Sequence, residues 1–247
     1  MVNKLSAGLR ASFAIIFWLA VWQLGALAVN NPYFLPDIPR TVSALINILK
    51  KSDFYLAVAM TLMRVVFGLL LGTLAGAALA IISHKSSFVM AIVSPMISVI
   101  KSTPVATFII LLWIAMHGSL LPVFVAFLMV MPIIWQNLID AYNSISKELI
   151  EVADAFELTY RARAKLLIFP ALLKYLIPAF ITSSGLAWKS EIAAEIIAYT
   201  TRSIGQHISD ARYNFDTPSV FAWTIVIILM SLTLEKTTKF LIGRWRL

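Results

Sequence analysis

Six long apolar stretches, separated by short polar segments, set the pattern of this sequence. A helix needs about 20 apolar residues to cross the hydrocarbon core of a bilayer, and each stretch is near or above that length. The stretches are continuously apolar rather than alternating, so the pattern predicts helices and not the strands of a barrel. It therefore predicts an all-α membrane protein of about six transmembrane helices, at 11–29, 56–83, 88–116, 120–138, 166–188 and 219–241.

The second and third stretches contain residues that shape helices. In the second, Gly68, Gly72, Gly76 and then Ala80 recur every four residues, a ridge that lets two helix backbones approach closely. The third is interrupted by Pro95 and by the break at 101–104, and we interpret it as one long broken helix.

The chain divides into an N-terminal part, 1–55, and a core of five spans, 56–247, which includes a polar segment at 140–165. Within the N-terminal part, Ala26-Leu27-Ala28 fits a signal-peptidase site, but the length of the stretch favours a retained span. An amphipathic stretch at 41–51 is expected to lie at the membrane interface, with one apolar face made of Val42, Leu45, Ile46 and Leu49.

Composition and charge favour a membrane environment over nucleic acid. Hydrophobic residues make up 60% of the chain and charged residues 13%, with a mean hydropathy of +0.88, which is too apolar for a water-soluble domain. The net charge is +8, but the basic residues cluster in loops and near the ends of the chain. The positive-inside rule then predicts that both termini and 140–165 are cytoplasmic. On this topology the basic residues outside are only Arg40, Lys50, Lys51, Arg202 and Arg212.

The polar segment contains an amphipathic helix, predicted from Lys147 to Tyr160. Its apolar stripe is Ile145, Leu149, Val152 and Phe156, and acidic residues occupy the rest of its surface. Such a helix could lie on lipid headgroups, but its carboxylates would be repelled by an anionic leaflet. A helix docked in the groove of a soluble partner fits better.

This segment resembles the EAA loop of bacterial ABC-importer permeases, through Glu151-Val152-Ala153 and Ile168-Phe169-Pro170. The resemblance covers nearly the whole chain and is closest to the nitrate/sulfonate/taurine branch. Three positions depart from the family's pattern: Val152 replaces an Ala, Glu157 replaces a Gly, and Phe169 replaces a Leu. The other matching pieces are Leu35-Pro36 with Pro39, Thr61-Leu62-x-Arg64-Val65-x-x-Gly68, Lys101-x-x-Pro104, Ala193-Ala194-Glu195 and Val220-Phe221-Ala222.

The resemblance implies a type I ABC-importer permease-like bundle in the bacterial cytoplasmic (inner) membrane. Its partners would be an ATP-binding subunit, an extracytoplasmic substrate-binding protein and a second permease copy, with a homodimer expected, all within membrane lipid. The chain has no phosphate-binding loop, so no cofactor is expected on it, and ATP and Mg²⁺ would bind the partner ATPase. The residues implied to couple to that ATPase are Leu149, Glu151, Val152, Ala153, Asp154, Phe156 and Glu157.

Two groups of polar residues near the spans are further candidates. Lys101 is a charged residue inside the third stretch and could attract an anionic solute to a translocation path. Ser102, Thr103 and Pro104 would line the same path. The alternative is a structural pairing of Lys101 with a carboxylate or with backbone carbonyls freed at Pro104. At the end of the fifth stretch, Lys189, Glu191 and Glu195 could form an outer gate or docking surface. A structural ion pair with Arg64 or Arg202 is the favoured alternative for this second group.

An enzyme or a nucleic-acid-binding protein is not expected. The chain has no cysteine, and His84, His117 and His207 are too scattered to assemble a catalytic or metal site; His117 is interpreted as a solvated loop residue. The main alternative to an ATP-driven importer is an autonomous secondary transporter or channel, which would have no use for a docking helix. The transported solute cannot be read from this sequence.

Overall fold

A computed structural model gives the fold of residues 2–116 and 118–243, and the side-chain surroundings of residues 8–116 and 118–240. His117 therefore lies outside the described residues. The described chain is helical: α1 (Val2–Val29), α2 (Ile38–Leu49), α3 (Ser52–Lys85), α4 (Ser87–Ser102), α5 (Val105–Ala115), α6 (Leu120–Asn143), α7 (Lys147–Ala155), α8 (Tyr160–Arg163), a π-helical segment (Ala164–Ile168), α9 (Phe169–Ile197), α10 (Ile204–Tyr213) and α11 (Thr217–Gly243).

Five helical segments in the described chain are long and apolar enough to cross a membrane. They are Gly8–Val29, Ser52–Lys85, Leu120–Asn143, Tyr160–Ile197 and Thr217–Phe240. The third predicted span is the pair α4 and α5, whose axes differ by 105°. Counting the bent pair as one span gives six, so the predicted all-helical architecture is confirmed, with its third member sharply broken.

The break between α4 and α5 has a local chemical cause. Thr103 takes an extended conformation (φ −82°, ψ 130°) because the ring of Pro104 disfavours helical geometry in the residue before it. The hydroxyl groups of Ser102 and Thr103 donate to the carbonyl of Val99 at 3.1 and 2.8 Å, which satisfies the end of α4. The expected interruption at Pro95 was wrong: α4 runs through it, as membrane helices tolerate a proline when neighbouring groups and local adjustment satisfy the freed backbone carbonyl.

Helices α3, α6 and α9 form the centre of the bundle. The glycine ridge of α3 lies directly on α6, as predicted. A Cβ atom on Gly68 would come within 2.6 Å of the Ala126 Cβ, and one on Gly72 within 2.7 Å of the Val130 Cβ. The contacts advance together along both helices, so α3 and α6 run in the same direction with their backbones in close approach.

The N-terminal helices attach to this centre at one end. Helix α1 is mostly exposed, and its last turns are tied to the following loop by the Trp22 indole, which donates to the Pro36 carbonyl at 3.0 Å. Helix α2 packs on α11. The buried side chains are Thr41 and Ile48, whereas Val42, Ile46 and Leu49 are exposed. The exposed residues belong to the predicted apolar face, whose place at the membrane interface stays a prediction.

Candidate functional sites

The break residues of α4 and α5 form the first candidate site. Lys101, Ser102 and Pro104 are exposed and Thr103 is half-buried. Lys101 has no salt bridge within the described chain, so its ammonium group is available to a solute or to a group outside this chain. Its assignment to a translocation path stays a prediction.

The second candidate site is the polar segment around α7. No other helix of the described chain packs extensively against this helix. Leu149 and Val152 are each 51% exposed and Phe156 is 75% exposed, whereas Ala153 is buried. Glu151 and Glu157 are exposed. Three of the four residues of the predicted apolar stripe are therefore exposed, and the fourth, Ile145, is half-buried.

Helix α7 begins with a cap and carries an acidic first turn. The Ser146 hydroxyl accepts a hydrogen bond from the backbone N–H of Leu149 at 3.3 Å, which satisfies one of the free donors at a helix start. A hydrogen bond from its own backbone N–H and one from the Ser146 hydroxyl hold the pKa of Glu148 below its usual range. Glu148 thus stays charged on the exposed surface of the segment.

The end of α7 differs from the predicted helix, which extended to Tyr160. Helix α7 ends at Ala155 because Glu157 has a left-handed backbone (φ +48°). The backbone N–H of Glu157 donates to the Asp154 carbonyl and that of Leu158 to the Ala153 carbonyl, a pattern that closes helices before a glycine. Glu157 is the position where the resembling family usually has glycine. The side chain of Phe156 therefore projects from a turn, and an ion pair between Asp154 and Arg163 holds the turn against α8.

The third candidate site is a buried polar cluster that we call the Arg64–Glu195 network, formed by Thr61, Arg64, Glu195 and the backbone of residues 201–205. The Glu195 carboxylate accepts hydrogen bonds from Arg64 Nη1 at 2.8 Å, from the Thr61 hydroxyl at 2.9 Å and from the backbone N–H of Gly205 at 3.2 Å. Arg64 is 4% exposed and Glu195 is fully buried. The favoured ion pair with Arg64 is confirmed for Glu195.

Arg64 also joins segments that lie far apart in sequence. Its Nη2 donates to the Thr201 carbonyl at 3.1 Å and to the Ser119 hydroxyl at 3.3 Å. The Thr61 hydroxyl accepts from the backbone N–H of Ile204 at 3.1 Å. Charge-assisted bonds of this kind are the strong ones, so the network fastens the start of α10 and the turn before α6 onto α3 and α9.

Of the other two residues of the predicted gate, Glu191 lies beside Glu195 on the buried side of α9 and Lys189 does not. Glu191 is fully buried, and both of its carboxyl oxygens are without a hydrogen-bond partner in the described chain. Lys189 is exposed and points to a different side of α9, since two residues turn a helix by about 200°. Lys189 and Glu191 therefore do not form one surface with each other. A role as gate or docking surface stays a prediction for all three.

Sequence reasoning missed part of the network. Ser119 and Gly205 gave no signal, because Ser119 contacts Arg64 from 55 positions away and Gly205 contributes only its backbone N–H. Thr61 and Arg64 did carry one: they are polar residues three apart inside an apolar stretch and lie on one helical face. That pattern alone could have indicated a buried polar contact on α3.

These features together define a multi-pass, all-helical membrane protein. Residues 68–246 match the family described as the binding-protein-dependent transport system inner membrane component, and the chain belongs to that family.

Curated relatives agree with this assignment. The chain is 23% identical over 92% of its length to the aliphatic sulfonates transport permease protein SsuC of Bacillus subtilis, covering 84% of that protein. It is likewise 23% identical over 87% of its length to the taurine transport system permease protein TauC of Escherichia coli, covering 80% of it. These relatives are transport permeases and not enzymes, and the expected sulfonate and taurine branch is confirmed.

Solved structures show the same fold. An amino acid ABC transporter crystallised with histidines matches 90% of this chain and 98% of its own at a TM-score of 0.62, with 17% sequence identity. The inward-facing MetNI methionine ABC transporter matches 77% of this chain and 93% of its own at a TM-score of 0.58, with 15% identity. The predicted importer-permease fold is confirmed.

Proposed function

We propose that this chain is the membrane-spanning subunit of an ATP-driven importer. It forms, with a second copy, the path for a small anionic solute that an external binding protein delivers. A separate ATPase subunit, with ATP and Mg²⁺ bound to it, supplies the energy. The observation that carries the proposal is α7, an amphipathic helix whose apolar stripe no other helix of the described chain covers.

The stripe of α7 has the form of a partner-binding surface. Three large apolar side chains, Leu149, Val152 and Phe156, are exposed and lie at helical spacing, the arrangement by which short helices bind grooves. Exposed carboxylates around the stripe disfavour contact with an anionic membrane surface. A groove of a soluble subunit satisfies both features.

The proposed orientation puts α7 and both chain termini in the cytoplasm. Basic residues cluster beside α7, at Arg161, Arg163 and Lys165, and the positive-inside rule assigns such segments to the cytoplasmic side. The ATPase and its nucleotide are then on the same side as α7, in a bacterial inner membrane. The binding protein approaches from the opposite side, where α10 lies.

The chemical class of the solute is inferred from the charge of Lys101 and from the solutes for which two relatives are named. SsuC and TauC are named for sulfonate and taurine transport, and the exposed Lys101 gives this chain a cation at the break between α4 and α5. A cation lining a path favours an anionic group on the solute. We therefore assign a small anion to the path.

The coupling proposal is tested by altering the α7 stripe. We expect the double change Glu151→Arg with Phe156→Ala to abolish co-purification of the chain with its ATPase and to stop ATP-dependent import. The change removes Phe156, the most exposed side chain of the α7 stripe, and reverses the charge of Glu151 beside it. Phe13→Ala is the matched control, since Phe13 is a phenylalanine of similar exposure (72%) on α1, which carries none of the candidate sites. Import at the normal rate in the double variant would contradict the proposal and favour an autonomous secondary transporter or channel.

A second prediction concerns Lys101. Changing Lys101 to Ala should slow the import of an anionic solute by about tenfold, the effect of losing one charge contact of roughly 1.4 kcal/mol, and should leave assembly with the ATPase unchanged. The import rate is measured as solute uptake into vesicles with a fixed internal ATP concentration. Assembly with the ATPase is measured by co-purification. An unchanged uptake rate would show that Lys101 does not contact the solute and has only a structural role.

A further inference from the structure

A polar pocket of about 400 Å³ lies between α2 and the start of α11. Three of its side chains are spaced by three and four positions on α2, so they form one stripe on that helix, and a lysine follows just after the helix ends. The polar side chains that line the pocket are Arg40, Ser43, Asn47, Lys51, Asp216 and Ser219. This pocket, which we call the α2 pocket, belongs to none of the candidate sites described above.

The α2 pocket lies at the level where spans leave the membrane. Helix α2 connects the end of α1 to the start of α3 and packs on α11, so three spanning segments end beside it. Two aromatic residues flank α2 in sequence, and both are well exposed: Tyr33 at 69% and Tyr55 at 64%. Exposed tyrosines at the ends of spans are typical of the lipid headgroup level. The pocket therefore opens among lipid headgroups.

The exposed surface of α2 has an apolar half and a polar half. Val42, Ile46 and Leu49 are 41–47% exposed, and helical periodicity puts them on a stripe of their own, which adjoins the pocket stripe where Ile46 lies beside Ser43. The helix contains no acidic residue. A helix with an apolar stripe next to a basic and polar one is the form that lies in the plane of a membrane interface.

Basic residues are concentrated at this pocket. On the proposed orientation this end of the bundle is extracytoplasmic, the side on which Lys and Arg are generally scarce. Of the five basic residues assigned to that side, three lie on α2 or directly after it: Arg40, Lys50 and Lys51. Membrane topology does not explain this concentration, because it favours the opposite side. Binding of an anion does explain it.

The carboxylates near the pocket are held by bonds of their own. Asp216 accepts a hydrogen bond at 3.2 Å from a backbone N–H in the first turn of α11. Asp37 accepts one at 2.9 Å from the backbone N–H of Arg40 and lies 3.5 Å from its Nε. Asp53 lies 3.1 Å from His207 Nε2. None of the three is bonded to a lysine of the pocket.

The lysines beside the pocket keep their charge available. Lys50 and Lys51 are exposed, and neither has a salt bridge in the part of the chain that the structure describes. The exposed hydroxyl of Ser43 and amide of Asn47 lie on the same wall as Lys51. A cation together with neutral hydrogen-bond donors is the combination that binds phosphate oxygens.

We propose that the α2 pocket binds the phosphate headgroup of an anionic phospholipid. Arg40 and Lys51 contact the phosphate oxygens, Ser43 and Asn47 donate hydrogen bonds to them, and the acyl chains lie along the apolar stripe of α2. A lipid fits better than a free anion because the basic stripe and the exposed apolar stripe adjoin on one helix. The bound lipid ties α2 to the membrane interface.

The proposal is tested on the purified full chain in detergent. Native mass spectrometry measures the binding of dioleoyl phosphatidylglycerol, with dioleoyl phosphatidylcholine as the neutral lipid. Phosphatidylglycerol should bind more tightly than phosphatidylcholine. Lys51→Gln should weaken phosphatidylglycerol binding about fivefold, and Arg40→Gln with Lys51→Gln about 25-fold, from the usual contribution of each basic residue at a lipid surface.

The matched control removes the same charge from the same end of the bundle. Arg202→Gln with Arg212→Gln alters two exposed residues that line no part of the α2 pocket, and it should leave the affinity for phosphatidylglycerol unchanged. All the altered side chains are exposed, so the melting temperatures without lipid should match that of the parent chain. Equal lipid affinity in the parent chain and in Arg40→Gln with Lys51→Gln would overturn the proposal.

Two further measurements separate a lipid from other ligands. Inorganic phosphate at millimolar concentration should not displace phosphatidylglycerol; displacement would show a site for a free anion and overturn the assignment to lipid. The second measurement is binding of the external binding protein. If the double variant of the pocket keeps its lipid affinity but loses that protein, the pocket is a protein contact and the proposal is wrong.

Discussion

Replacing Glu195 by Gln should destabilise the chain by about 3–5 kcal/mol, the usual cost of removing one partner of a buried ion pair. The change leaves the Arg64 guanidinium, 4% exposed, without its carboxylate. A lower melting temperature of the purified chain in detergent, with a loss of monodisperse yield, measures the effect.

The matched control is Glu235→Gln, the same change at an exposed ion pair with Lys239, where the expected effect is small because water screens the charges. Adding Arg64→Met to Glu195→Gln should recover part of the lost stability, since it removes the uncompensated charge. Equal melting temperatures for Glu195→Gln and Glu235→Gln would show that the Arg64–Glu195 network does not hold the fold.

A methyl group on Gly72 should separate α3 from α6. Its Cβ would lie 2.7 Å from the Val130 Cβ and 2.9 Å from the Phe127 carbonyl oxygen, distances at which backbone has to move. We expect Gly72→Ala to cost about 1–3 kcal/mol or more, as overpacking of a tight contact does, and to lower the melting temperature. The control is Gly185→Ala on α9, where a Cβ meets no atom within 4 Å and alanine favours the helix. A Gly72→Ala chain as stable as Gly185→Ala would contradict the close packing.

The features predicted best from the sequence are those encoded locally. Hydropathy alone located the spans because a bilayer demands long apolar helices. The glycines of α3 predicted a close helix contact, since a four-residue repeat of small side chains has few other uses in a membrane. The stripe of α7 also follows from local periodicity, and the structure leaves it exposed.

The features that were predicted poorly depend on contacts distant in sequence. Burial of Thr41 and Ile48 on α2 follows packing on α11, nearly 170 residues further along the chain. The end of α7 could not be read from residue type, because Glu157 takes a backbone conformation that glycine favours. Gly205 carries no pattern at all, yet a Cβ there would come within 2.3 Å of the Glu195 Cβ.

The many bonds of Arg64 have a consequence for motion in the chain. One guanidinium group holds the turn at Ser119, the carbonyl of Thr201 and the carboxylate of Glu195 on a single residue of α3. None of these segments can shift alone without breaking a hydrogen bond to the buried Arg64 guanidinium. The backbone amides of Ile204 and Gly205, both bonded into the same cluster, should therefore be among the slowest in the chain to exchange with heavy water. Any opening at this end of the bundle has to carry α3, α9 and α10 together, as one block.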